Sequence, residues 1–269
     1  MSTFRTLLAF ILILGFILLA VFAQFVAPFD PFRGGADALL APGTKNYLLG
    51  TDHLGRDIFS ELIFGARVSL AVGISAALSA SILGVIVGSL AGFFGGWVDG
   101  VLMRVSEFFQ TLPRFVLALV IVAFFGGGVF KVIIVLAILS WPQIARLVRA
   151  QILSLRESTF VEAARLSGMN GVQIITREIL PNALAPVIVT GSLDIASAIL
   201  LEASLSFFGL GDANLISWGG MLNVAQPYLR QAWWMAIFPG IAISLIVLSF
   251  NILGDALNDA LNPRLQETA

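Results

Sequence analysis

Long apolar runs separated by short polar stretches make up most of the chain, and their lengths set the first expectation. A membrane-spanning helix needs roughly 20 mostly apolar residues. Six runs approach that length: residues 7–26, 69–94, 115–125, 129–148, 183–207 and 233–253. The third is short by itself. It becomes a span only if the amphipathic stretch 101–112 belongs to the same crossing, with Pro113 as a kink or a boundary. Backbone that faces lipid must satisfy its own hydrogen bonds, so these runs are expected as helices. The expected fold class is an all-α membrane protein with six transmembrane helices.

Composition sharpens this picture and removes several function classes. Of 269 residues, 58% are hydrophobic and 12% are charged, where a soluble domain carries about 25% charged residues. The mean hydropathy is +0.98. A net charge of −1 gives no basic surplus for nucleic acid. There are no cysteines, which excludes disulfides, thiol catalysis and Cys-ligated zinc. The single histidine, His53, cannot build a His-rich metal site and reads as a solvated loop residue. No G-x-x-x-x-G-K-[ST] sequence is present, and no lysine follows Lys131. The chain therefore lacks a phosphate-cradling loop, and energy must come from a partner or an ion gradient.

The first run has two readings. Arg5 followed by an apolar stretch ending near Ala20 and Ala23 suits a cleaved signal. The stretch exceeds the usual apolar core of about 7–15 residues, so an uncleaved anchor is expected. With the N-terminus inside, the connection between spans four and five is cytoplasmic and carries Arg149, Arg156, Arg165 and Arg177, with Arg146 just before it. The loop 27–67 is then external despite Arg33, Lys45, Arg56 and Arg67. Both termini end inside.

Within the second run Gly84, Gly88 and Gly92 form a small-residue row on one helix face. Such a row permits close backbone approach, either inside the bundle or in a dimer. Asp194 and Glu202 lie eight residues apart in the fifth run, on about the same side of a helix. Ionisable groups at that depth face protein or water. Asp194 is expected either to be held by Thr190 or Ser197 or to line a pathway, and Glu202 is a second candidate for that lining. Asp52, Arg56 and Asp57 sit among glycines in the external loop, as turn residues or as a rim that receives a binding protein.

The segment 157–186 is too polar to span and too helix-prone for a plain loop. Thr159 followed by Glu162 fits a capping box, and Gly168 suits a left-handed helix end. Asn170 followed by Gln173 repeats the capping logic, and Ile174, Ile175, Ile179 and Leu180 give the second helix an apolar side. Pro181 and Pro186 mark the entry to the fifth span. Two short helices joined by a glycine turn are expected at the membrane face.

These same residues carry a resemblance. Glu162-Ala163-Ala164, three residues, Gly168, ten residues, then Ile179-Leu180-Pro181 resembles the EAA loop of the permease subunits of binding-protein-dependent ABC importers. Three further segments resemble the dipeptide, oligopeptide and nickel permeases. They are residues 49–57 with 65–70, residues 202–211 with Trp218-Gly219, and residues 254–257 with 259–265. The likeness covers nearly the whole chain and is nearest to the C-type partner of two unlike permeases.

The resemblance implies a type I ABC importer permease fold with cytoplasmic EAA coupling helices. It implies a layout of N-terminal helix and periplasmic loop (1–66), five-helix transmembrane core (67–258) and cytoplasmic tail (259–269). Glu162, Ala163, Ala164, Gly168, Ile179, Leu180 and Pro181 would couple the chain to cytoplasmic ATPases. Glu202 would have a structural role near the periplasmic gate. The implied location is the bacterial inner membrane. Implied partners are a second homologous permease, two ATPase subunits or domains, a periplasmic or lipid-anchored solute-binding protein and membrane lipid, with no nucleic acid. ATP and Mg would bind the partner subunits, so the chain is expected to hold no cofactor and to be no enzyme. The implied solutes are di- or oligopeptides, with glutathione, nickel chelates and glycosides as alternatives within the family.

Two other classes fit the sequence less well. An ion-coupled secondary transporter usually shows internal repeats or broken helices near the midplane, and no convincing repeat is present. A structural scaffold has no need for a mid-span Asp194.

Overall fold

The computed structural model describes residues 2–261, and among them every regular element is helical. Only two isolated bridges, Thr44 with Tyr47 and Thr51 with Asp57, interrupt the loops. In chain order the helices are α1 (Ser2–Val21), α2 (Ala23–Val26), α3 (Ile58–Phe94), α4 (Gly96–Thr111), α5 (Arg114–Phe125), α6 (Val129–Leu155), α7 (Thr159–Leu166), α8 (Gly171–Gln173), α9 (Leu180–Phe207), α10 (Trp218–Ala225) and α11 (Trp234–Leu261). Five helical runs are long and apolar enough to cross a membrane, and α4 with α5 makes a sixth if the bent pair is one span.

That pair answers the question left open by the short third run. The two helices meet at Leu112-Pro113 with a bend of 88°. Pro113 has no N–H to give and biases the preceding residue toward extended backbone, and Leu112 adopts ψ 140°. Pro113 is thus a boundary and not a mild kink.

Helix α3 organises the bundle. It has 37 residues, about 55 Å of helix at 1.5 Å per residue, well beyond the ~30 Å hydrocarbon core. The expected span began at residue 69, but the helix starts at Ile58. Its first turns carry Glu61 and Arg67, which mask the apolar signal, yet Ile58, Ser60, Glu61, Ile63 and Ala66 are buried. The Gly84–Gly88–Gly92 row packs α3 against α6. A Cβ at Gly84 would strike Ile144, one at Gly88 would strike the Ala145 carbonyl and Val148, and one at Gly92 would strike the Arg149 carbonyl and Ile152. The row therefore serves contact within the chain.

One core joins α1, α3, α9, α10 and α11 around Trp218, Ile199, Ile246 and Phe250. A second joins α3, α5, α6 and α9 around Val72, Ala118, Leu136 and Leu205. Helix α1 contributes Ile13 and Ala20 to the first core, and Phe16 meets Trp218 edge-on at 5.5 Å. Its outer face presents Leu7, Phe10, Ile11 and Leu14, which suits lipid.

The fifth span differs most from expectation. Helix α8, a π-helical segment Ile174–Ile179 and α9 form one continuous run from Gly171 to Phe207. Pro181 and Pro186 stand inside this run and do not mark an entry. Just before Pro181 the backbone takes the wider register, with the Leu180 N–H donating to the Ile175 carbonyl five residues back. A π-turn there absorbs the proline without ending the helix. Of the expected tail 259–269, residues 262–269 lie outside the described residues.

Candidate coupling loop and membrane-embedded polar groups

The segment between α6 and α9 is built as a rigid projection. Val161 and Ala164 of α7 are buried with Ile152, Ile174 and Ile179, which fixes one face of the short helix to the bundle. Glu162, Ala163 and Arg165 face outward, and Leu166 is 85% exposed. The helix ends in a Schellman-type turn. The Gly168 N–H donates to the Arg165 carbonyl at 3.0 Å, and the Met169 N–H to the Ala164 carbonyl at 3.2 Å. Gly168 has φ +80°, and a Cβ there would meet nothing within 4 Å of this chain. Its backbone shape, and not crowding inside the chain, demands glycine.

The Thr159–Glu162 capping box does not form. The N-cap of α7 is Ser158, with no side-chain cap bond, and its hydroxyl donates instead to the Leu155 carbonyl at 2.5 Å. The chain leaves α6 through this backward bond, so the helix start falls one residue earlier than the motif implied. The second box does form: Asn170 Oδ1 accepts from the Gln173 N–H and Gln173 Oε1 from the Asn170 N–H, both at 2.9 Å. Ile174, Ile175 and Ile179 are buried and Leu180 is half-buried, as the apolar stripe required.

Glu202 is 3% exposed and ties three elements together. It accepts from Ser69 Oγ of α3 at 3.1 Å and from Ser206 Oγ one turn on at 2.8 Å. The Ser217 hydroxyl before α10 reaches it as well. Ser69 Oγ in turn accepts from the Trp218 N–H at 3.3 Å, and the Trp218 indole donates to the Leu62 carbonyl at 2.9 Å. Asp194 is 6% exposed, and its Oδ2 has no partner among the described residues. The expected bonds from Thr190 or Ser197 are not what holds it. Ser197 Oγ donates to the Leu193 carbonyl at 3.3 Å, the usual way a helical serine satisfies itself.

In the loop between α2 and α3 the two aspartates are spent locally. Asp52 Oδ1 accepts from the Leu54 N–H at 2.8 Å and the Arg56 N–H at 2.7 Å. Asp57 Oδ2 caps α3 through Ser60, at 2.9 Å to the N–H and 2.6 Å to the hydroxyl. Both carboxylates are buried, so Arg56 is the half-exposed member of the trio. Its Nη1 lies 3.9 Å from Oε1 of the buried Glu61. His53 is not a freely solvated residue. It stacks on Tyr228 at 5.1 Å, because the loop folds back over the segment after α10. Arg56, Glu61, Asp212, Asn214 and Ser217 line a cavity of about 470 Å³ between this loop and the one after α9.

Two features escaped the motif reading. Arg149 of α6 grips Asp99 of α4 through two bonds, Nε–Oδ1 at 2.5 Å and Nη2–Oδ2 at 2.6 Å. Arg114 of α5 donates to Gln143 of α6, and Arg146 of α6 to Gln110 of α4. Polar side chains interrupting apolar runs were the available signal, but their pairing required the bend at Pro113.

A helical bundle with buried ionisable groups at mid-span and a rigid polar projection at one end defines a polytopic membrane transport protein. The model of the binding-protein-dependent transport system inner membrane component matches residues 80–267. The dipeptide transport system permease protein of Escherichia coli is 45% identical over 267 residues, covering 97% of this chain and 88% of that protein. The di/tripeptide transport system permease protein of Pseudomonas aeruginosa is 41% identical over 257 residues, covering 93% and 85%. The glutathione transport system permease protein of Pectobacterium atrosepticum is 42% identical over 259 residues, covering 96% and 85%. A chain from the inward-facing methionine ABC transporter MetNI superposes with a TM-score of 0.63 at 20% identity, covering 76% of this chain and 98% of that one. This chain belongs to the family of inner membrane components of binding-protein-dependent transport systems, and it is a multi-pass permease subunit of an ABC importer.

Proposed function

We propose that this permease carries short peptides inward as one of two unlike membrane subunits, each forming half of the path. The relatives that support the peptide reading are named for dipeptide, di/tripeptide and glutathione transport, and glutathione is itself a small peptide. The arginines around the α6–α9 connection favour a cytoplasmic placement of that end and of both termini. Two ATPase subunits or domains bind ATP and Mg, and one docks on α7 and the Gly168 turn through the exposed Glu162 and Ala163, with Ala164 and Ile179 in the buried base, Leu180 half-buried and Pro181 exposed beside it. The loop holding Asp52, Arg56 and Asp57 receives the solute-binding protein, with Arg56 as its accessible charge. The N-terminal helix and loop up to Asp57 are an addition to a core that begins with α3 at Ile58 and not at residue 67, and α11 continues past the expected boundary at 258 to Leu261.

The observation that carries the coupling role is the exposed, rigidly based α7 with its left-handed Gly168 turn. Reconstitution of the complete transporter into liposomes with its binding protein tests the whole reading. Uptake of dialanine should require ATP on the ATPase side and binding protein on the other, and should survive ionophores that collapse proton and sodium gradients. Uptake driven by a gradient without ATP would overturn it.

A further inference from the structure

Two guanidiniums, one at membrane depth and one nearer the membrane edge, have uncharged partners. Arg114 is the first residue of α5, about 18 Å along that helix from the α5–α6 turn. Gln143 is about 21 Å along α6 from the same turn, so the two reach similar depth inside a ~30 Å hydrocarbon layer. Arg114 Nη2 donates to Gln143 Oε1 at 3.2 Å. Arg146, one turn further on α6, donates to Gln110 Oε1 across the bend. Gln143 and Arg146 are exposed, and Gln110 and Arg114 half-buried. The four side chains form one seam across α4, α5 and α6.

Lipid is a poor cover for Arg114, because a charged side chain near the bilayer centre costs roughly 2.5–3.5 kcal/mol even on the mildest scale, whereas Arg146, about 26 Å along α6, lies nearer the membrane edge. Among the described residues neither guanidinium has a carboxylate within ion-pair distance, and Asp99 is already held by Arg149. Arg104 and Glu107, earlier on α4, offset each other in charge. The remaining acid is Asp194. Helix α5 shares a core with α9, in which Phe115 and Ala118 lie with Ala198 and Leu201, and the Phe115 ring meets that of Phe208 at 5.8 Å. The Arg114 charge acts on the buried Asp194 carboxylate, whose Oδ2 is unpartnered. Two guanidiniums against one carboxylate leave the seam with net positive charge.

We infer that this seam lines the solute path, and that Arg114 and Arg146 hold the carboxylate of the passing solute, with Asp194 as the resident counter-charge. The inference deepens the peptide reading, since a free peptide ends in a carboxylate. A guanidinium presents paired N–H donors that match a carboxylate oxygen for oxygen. The amide oxygens of Gln143 and Gln110 take those donors back when the anion leaves, so binding is not so tight as to stop transit.

The chain has no cysteine, so a single thiol reports on the seam. In the complete transporter, Gln143→Cys should react with water-soluble methanethiosulfonates. After correction for intrinsic reactivity, the anionic sulfonatoethyl reagent should outpace the cationic trimethylammonium reagent by about tenfold, the scale on which a charged cleft enriches counter-ions. Adding Arg114→Gln should remove most of the preference, and Arg114→Lys should retain it. Equal rates for the two reagents would overturn the proposal. So would labelling only by lipid-soluble maleimides, or no labelling at all, because the seam would then face lipid or a subunit. Dialanine uptake is read separately. A wild-type complex that takes up no peptide tells against the peptide reading, while the thiol rates still decide the charge of the path.

Discussion

At single residues, the consequences follow from what each side chain touches. Gly168 sits at φ +80° with open space around its Cα, so any larger residue strains the backbone by roughly 1 kcal/mol without a clash inside the chain. Gly168→Asp should therefore reach the membrane in normal amounts, yet transport should fail because the docking face is altered. Quantifying membrane-inserted protein beside uptake separates the two effects, and normal uptake would refute the docking role. Glu202 behaves differently, because three hydroxyls converge on it. Glu202→Ala leaves buried donors unmatched at about 1–3 kcal/mol and should lower the thermal midpoint of the purified complex. Glu202→Gln, which keeps an acceptor oxygen, should lower it less. An unchanged midpoint for the alanine variant would show that the three hydroxyls find other acceptors.

Among the elements, the α3–α6 contact carries the sharpest constraint. Gly88→Leu would drive a side chain into the Ala145 carbonyl and Val148, and should abolish accumulation of assembled protein. Gly15→Ala on α1 has nothing within 4 Å and should be neutral or stabilising by up to about 1 kcal/mol. Immunoblots of membrane fractions compare the two, and equal yields would contradict the packing account. The helices themselves were legible because lipid forces long apolar runs, and the Asn170–Gln173 box was legible because its chemistry is local. What stayed hidden depended on tertiary cover. The first turns of α3 carry Glu61, which is buried beneath the outer loop, and an exposed Arg67. The π-segment lets the α9 run absorb Pro181, where proline alone argues for a break. The Thr159 cap was displaced by Ser158, whose hydroxyl turns back to α6, a choice that no local pattern encodes. Asp194 was visible as a mid-span acid, but that its Oδ2 is buried without a partner among the described residues became visible only in the folded bundle.

For the whole molecule, one end of the bundle carries the exposed α7 and the other a half-enclosed cavity of mixed polar and apolar lining, with a charged seam between them. That distribution suits a subunit that receives solute at one face and is moved from the other. Family membership establishes the importer class, and the proposed entry point for motion is α7 with the Gly168 turn. Leu166 is 85% exposed on α7, one turn from Ala163 and beside the Gly168 turn, and the chain has no native thiol. Leu166→Cys, carrying a short photoactivatable cross-linker in the assembled transporter, tests the contact most directly. The expected product joins this chain to an ATPase subunit, with a yield that changes between ATP-bound and nucleotide-free states. Cross-links only to lipid, to the second permease or to the binding protein would contradict it.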